Sequence, residues 1–136
     1  MKKEYADILE CAGHGFWEWN PTTNLVYFSK QWVGMLGYDY TQFPQSVDEW
    51  IARIHPDDLS NCLNSLAALL GGKTTFYKHQ HRMLCLDGTY KWILDQAKIT
   101  AFNPHGYPCK IVGTHTDIDD LRQAVEFYKI NHEKVS

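Results

Sequence analysis

The sequence predicts an α+β domain whose helices pack on one face of an antiparallel sheet. Two short aromatic-rich β runs come first, helical spacing fills the middle, and three extended runs follow in succession. Turn chemistry at Asn20-Pro21-Thr22-Thr23-Asn24 and at Asp87-Gly88 joins neighbouring extended runs, which therefore pair antiparallel. Between them Leu59, Cys62, Leu63, Leu66, Leu69 and Leu70 form one apolar stripe of helical period.

The elements follow in order. Lys3 to Cys11 carries Tyr5, Ile8 and Leu9 at near-helical spacing and stops at Gly13, a short leading helix. Phe16-Trp17-Glu18-Trp19-Asn20 and Leu25-Val26-Tyr27-Phe28 read as a hairpin. Ser29 can cap a helix with Trp32, Val33 and Leu36 on one face, and Gly37 suits a left-handed C-cap. Tyr38 to Ile54 contains Pro44 and the amphipathic set Val47, Trp50, Ile51 and Ile54, enough for one or two brief helical turns. His55-Pro56-Asp57-Asp58 opens a longer helix: proline suits its first turn, the aspartates suit its positive end, and Gly71-Gly72 stops it.

Thr74 to Leu86 and Thr89 to Thr100 are extended, and Cys109 to Thr116 supplies a third strand after the turn at Asn103-Pro104-His105-Gly106. On the middle strand the sets Tyr90, Trp92, Leu94, Gln96 and Lys91, Ile93, Asp95, Ala97 are both mixed, so either can face inward. Beyond the sheet, Ile118, Leu121, Val125, Tyr128, His132 and Val135 recur as a heptad seam, with Asp117 or Asp119 available as its cap. So short a seam fits a helix folded back on its own sheet as well as it fits a dimer. The chain thus divides into a leading helix (1–14), a domain (15–118) and a C-terminal linker or output helix (119–136).

At 136 residues the chain has the length of one domain and can bury a core without disulfides or metal. Lys+Arg number 13 against 16 Asp+Glu, a balance that supplies no cationic face for nucleic acid. The longest apolar run, Leu66 to Leu70, is far below the roughly 20 residues of a membrane span, and no apolar stretch follows Met1-Lys2-Lys3 to make a secretory signal. Cys11, Cys62, Cys85 and Cys109 form no CxxC pair, which points to reduced thiols and a cytoplasmic setting. The one compositional excess is aromatic: 5 Trp, 8 Tyr and 6 Phe fill the core or line a pocket for a planar ligand.

Five segments together resemble a PAS domain with a Trp-rich first strand and a PAC-type C-terminal half, as found in bacterial-type sensory signalling proteins. They are Gly15-Phe16-Trp17-Glu18-Trp19-Asn20; Tyr27-Phe28-Ser29 through Met35-Leu36-Gly37-Tyr38; Trp50 with Ile54-His55-Pro56-Asp57-Asp58; Arg82 with Asp87-Gly88-Thr89-Tyr90-Lys91-Trp92; and Gly113-Thr114-His115-Thr116-Asp117-Ile118. The resemblance implies a five-stranded antiparallel sheet of order 2-1-5-4-3, helices across one face, and a sensory role upstream of a histidine kinase or diguanylate cyclase. Where the family commonly ends its last strand with Asp-Ile-Thr, this chain has Asp117-Ile118-Asp119. Nothing resembling either effector follows Ser136, so the chain reads as an excised input module.

Among candidate chemical groups, His79 and His81 sit two apart on a strand and project from one face. A closed metal site needs three or four ligands, and no convergent carboxylate or thiolate is legible beside them; Cys85 shares their parity but lies four residues on. No metal site is therefore expected. His55 is expected to order the loop before its helix. The long helix carries no histidine past His55 for haem, and Asn61-Cys62-Leu63 does not match the Asn-Cys-Arg run of flavin-adduct light sensors.

No nucleophile elbow, phosphate loop or metalloprotease helix occurs, so no catalytic residue is assigned and the segment is not expected to be an enzyme. Trp32, Trp50, Cys62, Leu66, His79, His81 and Trp92 are the candidate pocket residues for a small-molecule ligand, and the sequence names no cofactor. Asp117, Ile118 and Asp119 are the expected hinge, with Leu121, Val125 and Tyr128 the output seam. The expected partners are a second copy in a homodimer and a downstream effector domain in the parent chain, with no nucleic acid and no membrane contact. The alternative is a ligand-free dimerisation or protein-interaction module that uses the first-strand edge and leading helix as its contact surface.

Overall fold

In the computed structural model, which describes residues 2–135 and the side chains of 4–133, the helix α1 (Lys2–Cys11) leads into a hairpin of β1 (His14–Asn20) and β2 (Leu25–Phe28). Three helices follow, α2 (Lys30–Gly34), α3 (Val47–Arg53) and α4 (Pro56–Leu70). The strands β3 (Tyr77–Leu84), β4 (Tyr90–Phe102) and β5 (Pro108–Asp117) then run as a meander, and α5 (Asp119–Val135) ends the chain. The five strands form one antiparallel sheet in the order β2-β1-β5-β4-β3, so β5 lies between the hairpin and the rest of the meander.

Local chemistry accounts for the helix starts. Ser29 Oγ accepts from the Trp32 N–H at 3.2 Å and also from the Phe16 N–H at 2.9 Å, tying α2 to β1. α2 ends at Gly34 rather than running to Gly37; Leu36 and Gly37 instead close tight turns onto Val33 and Gly34, and Gly37 has the expected positive φ. His55 caps α4, its Nδ1 accepting from the Asp57 N–H at 3.1 Å. Its ring thus orders the first turn of the helix itself, where the sequence predicts ordering of the loop before it. Asp58, in the first turn, accepts from the Arg82 backbone at 2.8 Å and from its Nε and Nη2 at 2.9 Å each, which clamps α4 to β3.

The core lies between the sheet and the helices. Cys62, Leu66 and Leu69 of α4 face Tyr77, Met83 and Ile93 of the sheet, and Phe28 stacks on Trp32 with centroids 4.0 Å apart. Burying each such side chain contributes about 1.5–3 kcal/mol. Leu63 of the α4 stripe is exposed, because it lies about 100° round the helix from Cys62. All four cysteines are free thiols.

The approach of α2 to the sheet depends on Gly15, where a Cβ would come within 2.5 Å of the Trp32 Cα. Ile93, Asp95 and Ala97 are the inward residues of β4. Trp92 therefore faces outward and is not a pocket residue: its ring lies beneath the guanidinium groups of Arg82 and Arg122, at 5.1 and 4.0 Å.

α5 does not fold back on the sheet. Among the described residues only its first turn is held: Asp119 Oδ1 accepts from the Trp92 N–H at 3.1 Å, the Ile118 N–H donates to the Trp92 carbonyl at 3.1 Å, and Arg122 covers the Trp92 ring. Leu121 in that turn and Val125, Phe127, Tyr128 and Ile130 beyond it are exposed; the side chain of Val135 lies outside the described residues. Among the described residues no helix is long and apolar enough to cross a membrane.

Candidate functional site: a buried polar cluster beside an aromatic cavity

Strand register brings together residues distant in sequence. Asp95 of β4 pairs directly with His115 of β5 and with His79 of β3, and His81 lies one inward position further along β3, opposite Ile93. All of these side chains point to the helix side, since residues two apart on a strand share a face. His81, Asp95 and His115 are fully buried, while His79 is half-buried.

Asp95 Oδ2 lies 3.1 Å from His115 Nε2 and 4.0 Å from His81 Nε2. Neither approach has hydrogen-bond geometry, so Oδ2 and both Nε2 atoms are buried without a hydrogen-bond partner. The other carboxylate oxygen, Oδ1, accepts from the Trp17 indole N–H at 3.0 Å. Among the described residues no lysine or arginine pairs with Asp95. A carboxylate out of water and held by one neutral donor is costly unless a positive charge reaches it.

Around this centre lies a neutral shell. His79 and His81 meet through their Nδ1 atoms at 3.1 Å, one donating and the other accepting, and Cys62 Sγ lies 3.8 Å from His81 Nδ1 and 3.1 Å from the Tyr77 hydroxyl. Burial pushes His81 down to about 4, against the opposing pull of Asp95, and lowers His79 as well. Burial pushes the Cys62 thiol up to about 12 and raises Tyr77 too. Both imidazoles are thus neutral at physiological pH, and Cys62 is a protonated thiol rather than a nucleophile.

Asp95 and His115 also border a cavity of about 40 Å³ lined by Trp17, Trp19, Phe28, Trp32, Trp50 and Leu66, among others. Its size suits a water or two. The Trp32 and Trp50 indole N–H groups are buried without a partner, so this aromatic wall carries unmet donors.

A family model described as PAS fold matches residues 25–115. The chain belongs to the PAS family. The solved structure of a sensory box histidine kinase/response regulator from Burkholderia thailandensis resembles this PAS domain at 27% identity and a TM-score of 0.82, covering 96% of each chain. The N-terminal domain of a diguanylate cyclase with PAS/PAC sensor from Marinobacter aquaeolei is 25% identical, with a TM-score of 0.69 over 80% of this chain and 98% of that one. A PAS domain from Colwellia psychrerythraea shares the fold at 15% identity, with a TM-score of 0.67 over 87% of this chain and 97% of that one. No curated protein matches the chain.

Of the pocket residues read from the PAS sequence, Trp32, Trp50 and Leu66 line the cavity. Cys62, His79 and His81 form the shell beside it, and Trp92 is on the opposite face. Asp95 and His115 are the residues that sequence reasoning missed; Asp95 is the convergent carboxylate that seemed absent beside the histidine pair. The legible signal was parity: Asp95 falls in step with Ile93, and His115 in step with Ile111. Asp117, Ile118 and Asp119, the residues expected as a hinge, lie where the helix leaves the sheet. Asp117 pairs with Lys91 at 3.0 Å, and Asp119, standing where Thr is usual, binds Trp92 through its carboxylate.

Proposed function

We propose that this PAS domain is a sensory input module, without catalytic activity of its own, that biases a downstream signalling domain through α5. One observation carries the reading: α5 is gripped only at its first turn and otherwise exposes an apolar seam, Leu121, Val125 and Tyr128. An apolar stripe on a projecting helix suits packing against another helix, which favours a homodimer paired along α5. The solved neighbours, from a sensory box histidine kinase/response regulator and from a diguanylate cyclase with PAS/PAC sensor, support an effector of either kind, and a cytoplasmic setting is part of the same proposal.

The route from core to output is short. β4 carries Asp95 inward and Trp92 outward under Arg122, while β5 carries His115 and then Asp117 and Ile118. A change of charge or occupancy at the buried cluster acts on the two strands that hold the exit helix. An input shifts the output only if it favours one arrangement of sheet and helix over another.

The test joins the chain through its own α5 to a diguanylate cyclase or histidine kinase reporter domain. Asp95→Asn should change reporter activity, and that change should vanish in a Leu121→Glu background while the sheet stays folded. A reporter indifferent to Asp95→Asn, or a difference that persists with Leu121→Glu, overturns the reading.

A further inference from the structure

We propose that His81, Asp95 and His115 form a binding site for a first-row divalent transition-metal ion such as Zn²⁺ or Fe²⁺. Two imidazoles and one carboxylate are the donor set of three-ligand metal sites that keep further positions open. One ligand atom from each of His81, Asp95 and His115 lies within 4.8 Å of those of the other two, and Asp95 Oδ2 is 4.0 Å from His81 Nε2 and 3.1 Å from His115 Nε2. The three atoms are buried, converge on one point and have no hydrogen bond.

The spacing fits one ion. Adjacent ligands of a tetrahedral ion bound at roughly 2.0–2.1 Å are roughly 3.3–3.4 Å apart, so His81 Nε2, at 4.0 Å from Asp95 Oδ2, reaches the ion by a side-chain shift of under about 1 Å. The 3.1 Å from Asp95 Oδ2 to His115 Nε2 is the separation of adjacent ligands on such an ion. A divalent ion also supplies the positive charge that Asp95 lacks among the described residues, and neutral imidazoles are the form that binds metal.

Two of the three ligands have the outer partners of a metal site, while His115 Nδ1 has none among the described residues. The Trp17 indole holds the second carboxylate oxygen, and His79 can accept the His81 Nδ1 proton, leaving the His81 Nε2 lone pair for the ion. Two of the three ligands border the aromatic cavity, so an open coordination position beside it has room for water or a small donor molecule.

Cys62, His79 and His81 form a second convergent trio. It suits an ion less well: His81 Nδ1 is engaged by His79 and Cys62 Sγ by the Tyr77 hydroxyl, and no carboxylate belongs to it.

This inference concerns the core alone and does not rest on the output route through α5. The test titrates the chain, free of any affinity tag and stripped with chelator, with Co²⁺ and Zn²⁺. One ion should bind per chain, Co²⁺ should give a ligand-field absorption band, and Asp95→Asn and His115→Gln should each weaken binding by at least about 10- to 100-fold. Cys62→Ser should leave affinity within a few-fold. Should a variant fail to fold, ¹¹³Cd NMR or anomalous scattering on the unaltered chain places the ion directly, and Cd²⁺ between His81, Asp95 and His115 supports the site. Absence of stoichiometric binding, binding indifferent to both substitutions, or an ion located at Cys62 and His79 overturns it.

Discussion

Trp17 donates its indole N–H to Asp95 at 3.0 Å across the intervening strand β5, and Gly113 is what lets the ring pass. Replacing Trp17 with Phe keeps most of the ring packing and removes the indole hydrogen bond to the Asp95 carboxylate. The expected loss is about 1–3 kcal/mol in denaturant unfolding, the cost of leaving a buried acceptor unpaired. A loss below about 0.5 kcal/mol would show that Asp95 is satisfied by another group.

Gly113 makes the same point from the other strand. A Cβ there would lie 2.5 Å from the Trp17 ring and 2.6 Å from the Gln96 carbonyl, and the carbonyl belongs to the sheet backbone and cannot turn aside. Gly113→Ala should cost about 1–3 kcal/mol and disturb the Trp17 near-ultraviolet signal. At Gly72, where nothing lies within 4 Å, the same substitution is strained only by its positive φ and should leave that signal unchanged.

The Asp58–Arg82 clamp should make stability depend on acid. Hydrogen bonds from Arg82 hold the Asp58 carboxyl below its ordinary value despite partial burial. The folded pKa is therefore lower than the unfolded value of about 3.9, so the clamp contributes fully above that value and loses its contribution as pH falls through the folded pKa. Asp58→Asn should cost about 1–3 kcal/mol at pH 7, and the gap to the parent chain should narrow toward pH 3. A gap that stays constant over that range would refute the assignment.

The grip on α5 should be separable from the fold. Asp119→Ala removes the side-chain acceptor for the Trp92 N–H, which should lower hydrogen-exchange protection at residues 119–123 by about 5-fold, equivalent to roughly 1 kcal/mol. Protection along β1 and β5 should be retained. Loss across the whole sheet would instead mean that α5 is part of the folding core.

Much of the fold was legible because its signals are local. The apolar stripe of α4, Asp87-Gly88 between β3 and β4, and the Ser29 cap each act within a few residues of themselves. β4 resisted the same treatment for a physical reason: its buried face carries a carboxylate, Asp95, and its outer face carries Trp92, sheltered by two arginines. Hydrophobic alternation, the usual guide to the inner face, is inverted at those two positions.

The sequence by itself determined the order of elements, the turns and the helix leaving the last strand, because short-range periodicity and capping chemistry encode them, and its five motif segments carried the family resemblance. Tertiary structure alone decided that His81, Asp95 and His115 meet, since each comes from a different strand and their convergence depends on inter-strand register. It also decided that α5 leaves the sheet rather than covering it, because that depends on which face of the sheet its first turn can grip.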